Sequence, residues 1–206
     1  MVRDPALEVT SSDRVTFRGE VLEPEPREAW LVNKPLDVVS TAKEPGSRRA
    51  VTELVPSERR LYPVGRLDAD STGLVLLTND GDLANLLTHP RYEVPKAYRC
   101  TLSRPPSDSD LARLRRGVEL DDGPTAPAVV ERVGESEITI EIREGRNRQI
   151  RRMAEAVGNQ VESLCRTSLG PLELNSLEPG ECRKLDAREL ASLWDYASEM
   201  NERVKP

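Results

Sequence analysis

Apolar positions along the chain recur at spacings that name elements. Leu74 to Leu77 is an unbroken apolar run closed by Asn79-Asp80-Gly81, the pattern of a strand buried on both faces. From Lys96 onward an alternation puts Lys96, Tyr98 and Cys100 on one face and Ala97, Arg99 and Thr101 on the other. Ile138, Ile140 and Ile142 alternate in the same way, and Ala128 to Arg132 reads as a strand before them. Ile150, Met153, Ala154 and Val157 fall at i, i+3, i+4 and i+7, which predicts an amphipathic helix ended by Gly158. Ser107 caps a helix over Asp108 to Arg116 with Leu111 and Leu114 inward, and Gly117 ends it. Asp80 or Asp82 caps a brief helix that ends at Thr88, before Pro90. Asp186-Ala-Arg-Glu189 is a capping box for a last helix that packs through Leu190, Leu193, Trp194 and Ala197.

Weaker segments fill in the remainder. Arg14 to Arg18 reads as a lone short strand. Ala29 to Val32, Val38 to Thr41, Val161 to Leu169 and Cys182 to Leu185 read as further strands, and Val51 to Leu54 as a turn of helix. The irregular order of about eight strands and four helices predicts an α+β fold with a largely antiparallel sheet.

Composition narrows the picture. The chain has 206 residues, 37% of them apolar, enough for one domain or two small subdomains. Lys and Arg total 30 against 36 for Asp and Glu, a net charge of −6, which does not announce a nucleic-acid binder. Cys100, Cys165 and Cys182 lie far apart, which fits a reducing, cytoplasmic setting and argues against a disulfide framework or a zinc site. His89 is the one histidine and reads as a contact at a helix C-terminus. No 18-residue apolar run and no signal-peptide pattern occurs, so no membrane role is expected. No G-x-G-x-x-G or Walker loop points to a nucleotide cofactor. Glu23-Pro-Glu-Pro26 reads as an acidic, proline-rich linker.

Chemistry concentrates in two stretches. In Leu61 to Asp82 a loop punctuated by Pro63 and Gly65 carries Arg66, Asp68, Asp70, Ser71 and Thr72 directly into the buried strand. A loop carboxylate is most often a turn-former or a helix cap; the other reading, a catalytic acid, base or nucleophile on a rigid mount with its protonation tuned by an arginine, stays open on this stretch alone. The second stretch is Glu144 to Gly158. Arg143 to Arg152 holds five arginines and one glutamate, a local charge of +4 in an acidic chain. Those arginines crowd the positive end of a helix dipole, which makes sense if an anion sits there. Lys43 to Arg49 is a polar loop, solvated or in contact with RNA phosphate.

With these residues in view, the chain resembles the RsuA-like branch (RsuA, RluB, RluE, RluF) of the pseudouridine synthases that modify ribosomal RNA. The likeness runs from about Trp30 to Leu185 through Asn33-Lys-Pro35, Gly65-Arg-Leu-Asp68 with Thr72-Gly-Leu74, Lys96-Ala-Tyr98, Glu144-Gly-Arg-Asn-Arg-Gln-Ile-Arg151 and Leu164-Cys-Arg-Thr-Ser-Leu-Gly170. It implies a largely antiparallel mixed sheet with flanking helices and a central active-site cleft. It implies that a uridine in ribosomal RNA becomes pseudouridine, in the 23S rather than the 16S RNA, with no metal or organic cofactor.

Asp68 is then the catalytic carboxylate and Arg151 its salt-bridge partner, with Arg148 second. Tyr98 lies against the flipped uracil, Arg66 fills the gap left in the RNA stack, and Leu164 walls the pocket. Arg146, Arg148 and Arg166 hold phosphates, and Lys96 also contacts RNA. Asp70 is read as structural; two carboxylates so close on one loop do not readily flank a sugar as a glycosidase pair does. The expected division is 1–27, a remnant of a leading RNA-binding module plus linker, and 28–206, a catalytic domain acting as a monomer. The alternative is a non-catalytic RNA-binding or ribosome-assembly module on the same fold.

Overall fold

The computed structural model describes residues 7, 9–10, 13–23, 25–42 and 46–204. Part of the expected Lys43–Arg49 loop lies outside the described residues.

At the N-terminal end, β1 (Thr16–Phe17) and β2 (Glu20–Val21) form a hairpin. Its turn residues, Arg18 and Gly19, have φ of +52° and +88°, the primed turn that follows strand twist. Arg14 to Arg18 is therefore not a lone strand: it pairs with its own neighbour.

The body runs β3 (Ala29–Lys34), β4 (Tyr62–Val64), β5 (Thr72–Thr78), α1 (Gly81–Thr88) and β6 (Lys96–Leu102). Next come α2 (Asp108–Arg116), a small hairpin of β7 (Glu119–Leu120) and β8 (Gly123–Pro124), then β9 (Val129–Arg132) and β10 (Glu137–Ile142). The chain closes with α3 (Gln149–Ala156), β11 (Val161–Leu169), β12 (Leu172–Glu173), β13 (Cys182–Lys184) and α4 (Ala187–Arg203).

One mixed sheet has the order β13-β3-β5-β11-β6-β10-β9, with β4 also on β5 and β12 also on β11. All its strand pairs are antiparallel except β5 with β11. Val38 to Thr41 does not form the strand expected; it makes only a parallel bridge from Val39 to Ala50.

β5 is buried on both faces because its apolar run supplies both cores at once. Val75 and Leu77 pack with Tyr98, Ile138, Ile140 and residues of α2 and α3. Leu74 and Leu76 pack with Leu83, Leu87, Leu193 and Ala197 of α1 and α4. The helices start where their caps direct. The Asp80 carboxylate accepts from Leu83 N at 3.2 Å, and Ser107 Oγ accepts from Asp110 N at 3.1 Å. Where β5 meets β11, Gly73 (φ +102°) lies so close that a Cβ there would stand 2.3 Å from the Arg166 carbonyl oxygen. Only glycine fits this contact, and it fixes the 65–71 loop against the strand that carries Leu164 and Arg166.

Candidate active site

The loop before β5 is held from below. Ser40 Oγ accepts from Leu67 N at 3.1 Å and donates to Leu67 O at 3.0 Å. Asp37 N donates to Ala69 O at 2.9 Å, and Ser71 N to Asp68 O at 3.1 Å. Leu67 is buried. Asp68 thus stands on backbone pinned on both sides, with its side chain 34% exposed. Sequence reasoning gave no role to Ser40, because its partner lies 27 residues on and leaves no local pattern.

The second stretch folds over this loop. Arg148 is the N-terminal cap residue of α3, with φ +49°. Its guanidinium spans both carboxylates: Nη2 lies 3.1 Å from Asp70 Oδ2 and Nη1 lies 3.8 Å from Asp68 Oδ2. Arg151 is buried one turn into the helix. Its Nη2 donates to Asp70 O at 2.8 Å and lies 3.3 Å from Asp70 Oδ2, while Nη1 donates to Val161 O at 3.0 Å. The expected Arg151–Asp68 salt bridge is therefore corrected: Arg151 pairs with Asp70, and the arginine nearest Asp68 is Arg148. Arg148, the N-terminal cap residue of α3, reaches both carboxylates, whereas the buried Arg151 is held by the backbone carbonyls of Asp70 and Val161.

Asp70 is thus the hub of the ion pairs. Partial burial works against its charge, but the guanidinium groups of Arg148 and Arg151 outweigh it and hold its carboxyl below the usual range. Lys34, fully buried in the Asn33-Lys-Pro35 stretch, lies under the same loop. Its Nζ donates to Pro35 O at 2.9 Å and Val38 O at 2.8 Å. Burial pulls its pKa down to about 8, partly offset by Asp70, Asp37 and Asp68.

The anion anticipated at the start of α3 is largely the protein's own. Arg146 gives Nε to Glu144 at 3.2 Å, Nη1 to Gly123 O at 2.8 Å and to Asp122 at 3.2 Å, and Nη2 to Pro124 O at 2.5 Å. Arg152 pairs with Asp121 at 2.6 Å and Asp122 at 3.0 Å. Arg146 was expected to hold phosphate; here it staples the loop to the β7–β8 hairpin. Gln149 completes the brace, its amide donating to Glu144 at 2.5 Å.

Between the two stretches opens a cavity of about 400 Å³, within the usual ~300–1,000 Å³ of a small-ligand site. Asp68, Arg66 and Arg148 line it, as do Lys96 and Tyr98 of β6 and Leu164 and Arg166 of β11. Arg66 is exposed, Tyr98 and Leu164 are buried, and Arg166 is 2% exposed. The β6–β11 register sets Arg166 opposite Tyr98. Burial, with a lesser contribution from Arg166, draws the Lys96 ammonium pKa down to about 8. His89 caps the end of α1, its Nδ1 accepting from Arg91 N at 3.3 Å. Among the described residues no His, Cys, Asp or Glu cluster could hold a metal, and no helix is long and apolar enough to cross a membrane.

A carboxylate flanked by guanidinium at the mouth of a cavity, with a tyrosine and a leucine inside, can act on one inserted nucleotide. The comparisons agree with that geometry. A family model described as RNA pseudouridylate synthase matches residues 28–156. Ribosomal large subunit pseudouridine synthase B of Bacillus subtilis is 40% identical over 200 residues, covering 94% of this chain and 82% of that protein. Ribosomal large subunit pseudouridine synthase E of Vibrio vulnificus is 37% identical over 177 residues, covering 77% and 75%. A crystal structure of a pseudouridylate synthase matches with a TM-score of 0.77 at 32% identity, covering 93% of this chain and 85% of that one. This chain belongs to the RNA pseudouridylate synthase family, in its RsuA-like branch. The α+β pseudouridine synthase fold expected from the sequence is the fold observed.

Proposed function

We propose that the protein isomerises a uridine of large-subunit ribosomal RNA to pseudouridine, with Asp68 as the catalytic carboxylate. The observation that carries this reading is that Asp68, 3.8 Å from Arg148, lines one cavity with Tyr98 and Leu164. The B. subtilis and V. vulnificus relatives, both named for the ribosomal large subunit, favour that subunit's RNA.

In this reading the uridine leaves its stack and enters the cavity base first, since a stacked base is out of reach. Asp68 acts on the ribose, either at C1′ as a nucleophile or on a sugar proton as a base. The N1–C1′ bond breaks, the base turns, and C5 joins C1′. Tyr98 lies against the base; such stacking contributes about 1–3 kcal/mol. Leu164 walls the pocket. Arg66 fills the vacated place in the RNA. Arg148, at the mouth, meets phosphate; Arg146 is free to do so only on leaving Glu144 and the β7–β8 hairpin. The reaction needs no cofactor, and residues 28–206 carry it as a cytoplasmic monomer; Pro26 and Arg27, just before that span, are tied to it through Asn79 and Asp80.

Incubating the protein with 23S and 16S transcripts and mapping pseudouridine chemically tests the substrate. One new site in 23S RNA is expected. A site only in 16S RNA would overturn the choice of subunit, and none in either would overturn the function.

A further inference from the structure

Arg166 is a buried cation without a counterion. Its Nε donates to Leu74 O at 2.7 Å, its Nη2 is buried with no hydrogen-bond partner, and no described carboxylate forms an ion pair with it. Lys96 faces the same cavity from β6, and its Nζ donates only to Val94 O at 2.9 Å. The arginines around the start of α3 all have carboxylates; this pair has none. An unpaired buried guanidinium is costly, so a negative charge from outside the chain would complete the site.

We propose that Arg166, assisted by Lys96, is an oxyanion subsite that holds the uracil ring as its anion while it is detached from the ribose. The proposal rests on the synthase reading above and names a charge that reading leaves unmet. When N1–C1′ breaks, the electron pair leaves with the base. The base then carries one negative charge spread over N1, O2 and O4, and the Asp68 carboxylate meets the electron-poor sugar. When C5 bonds to C1′ the ring supplies that pair again. C5 gives up its proton to solvent and N1 takes one, so the product is an isomer. Cations aimed at charge that exists only during reaction accelerate the chemical step without tightening substrate binding.

Depth selects the base over a phosphate as the anion. A phosphate stays joined to its neighbours and remains at the mouth, where Arg66 is exposed and the Arg148 side chain is 45% exposed. Arg166, at 2%, is reached by the part of the nucleotide that enters first.

The test uses the full chain and a 23S transcript that the wild type modifies. Lys96→Met and Arg166→Gln are compared with wild type for thermal melting, RNA affinity across a salt series, and single-turnover rate at saturating enzyme. Lys96→Met keeps the test decisive if Arg166→Gln fails to fold. The expected result is a fall in rate of about 10²-fold or more, with affinity and its salt slope unchanged, and recovery in Lys96→Arg. A salt slope shallower by about 0.7 per variant, the loss of one single-strand phosphate contact, with the saturated rate intact, would overturn the proposal. So would unchanged rates. Wild type inert on every ribosomal transcript would instead sink the synthase reading itself.

Discussion

Arg151 binds Asp70 through two oxygens, the backbone carbonyl at 2.8 Å and the carboxylate at 3.3 Å. That carboxylate also holds Arg148 at 3.1 Å. A residue read from sequence as structural thus anchors Arg151 and also Arg148, the arginine that lies against the candidate catalytic acid.

Asp70→Asn should therefore cut turnover about tenfold by letting both guanidiniums wander, a misplacement of the sort that costs one to two orders of magnitude. RNA affinity should rise, because two cations lose their internal anion. Stability should change by less than about 1 kcal/mol, as the carboxylate is half exposed. Steady-state kinetics and filter binding check this; unchanged kcat would show that Asp70 positions nothing.

Gly73→Ala should be strongly destabilising. The added methyl would sit 2.3 Å from Arg166 O and 2.6 Å from Arg166 N, at φ +102°. Strain and overpacking together should cost about 2–4 kcal/mol. A urea melt measures it. Near-wild-type stability would mean that β5 and β11 separate more easily than their contact implies.

Glu28 should govern acid stability. Its buried carboxylate accepts from Trp30 at 2.5 Å, Ser57 at 2.7 Å and Arg59 at 2.5 Å, and pairs with Lys184 at 3.0 Å. Burial opposes its charge, but those donors prevail and bring its pKa from 4.5 down to about 2. A folded-state value below the unfolded one means stability that is fully present above pH ~4.5 and lost as pH falls toward 2. Glu28→Gln should lose about 2–3 kcal/mol at pH 7. The gap to wild type should shrink as pH drops through that window, and a constant gap would contradict it.

Local rules made much of this fold readable. The Lys96–Leu102 and Glu137–Ile142 strands and the Asp108–Arg116 helix lie where alternation and the Ser107 cap set them. Each signal is contained within the element that it specifies. Val38 to Thr41 misled, because an apolar pair followed by polar residues reads as a strand even where no neighbouring strand is available. The β1–β2 hairpin was missed because an arginine at φ +52° is not a usual turn marker.

The site was legible only in part. The motifs hold Asp68, Tyr98, Leu164, Arg148 and Arg151, which line one cavity, but do not say who pairs with whom. Asp70 and Arg151 are 81 residues apart, and Arg146 and Asp122 are 24 apart. Such pairs depend on how β5, β11 and the β7–β8 hairpin pack. Lys34 stood inside a quoted motif, yet nothing in its spacing announces a buried ammonium under the Asp68 loop.

The most direct measurement is tritium release from ribosomal transcripts labelled at uridine C5, comparing wild type with Asp68→Asn. Wild type should release tritium as C5 is joined to the sugar, and Asp68→Asn should release none while still binding RNA. Tritium release by Asp68→Asn at the wild-type rate, or free uracil in place of released tritium, would contradict the assignment of Asp68 as the acid that drives the isomerisation.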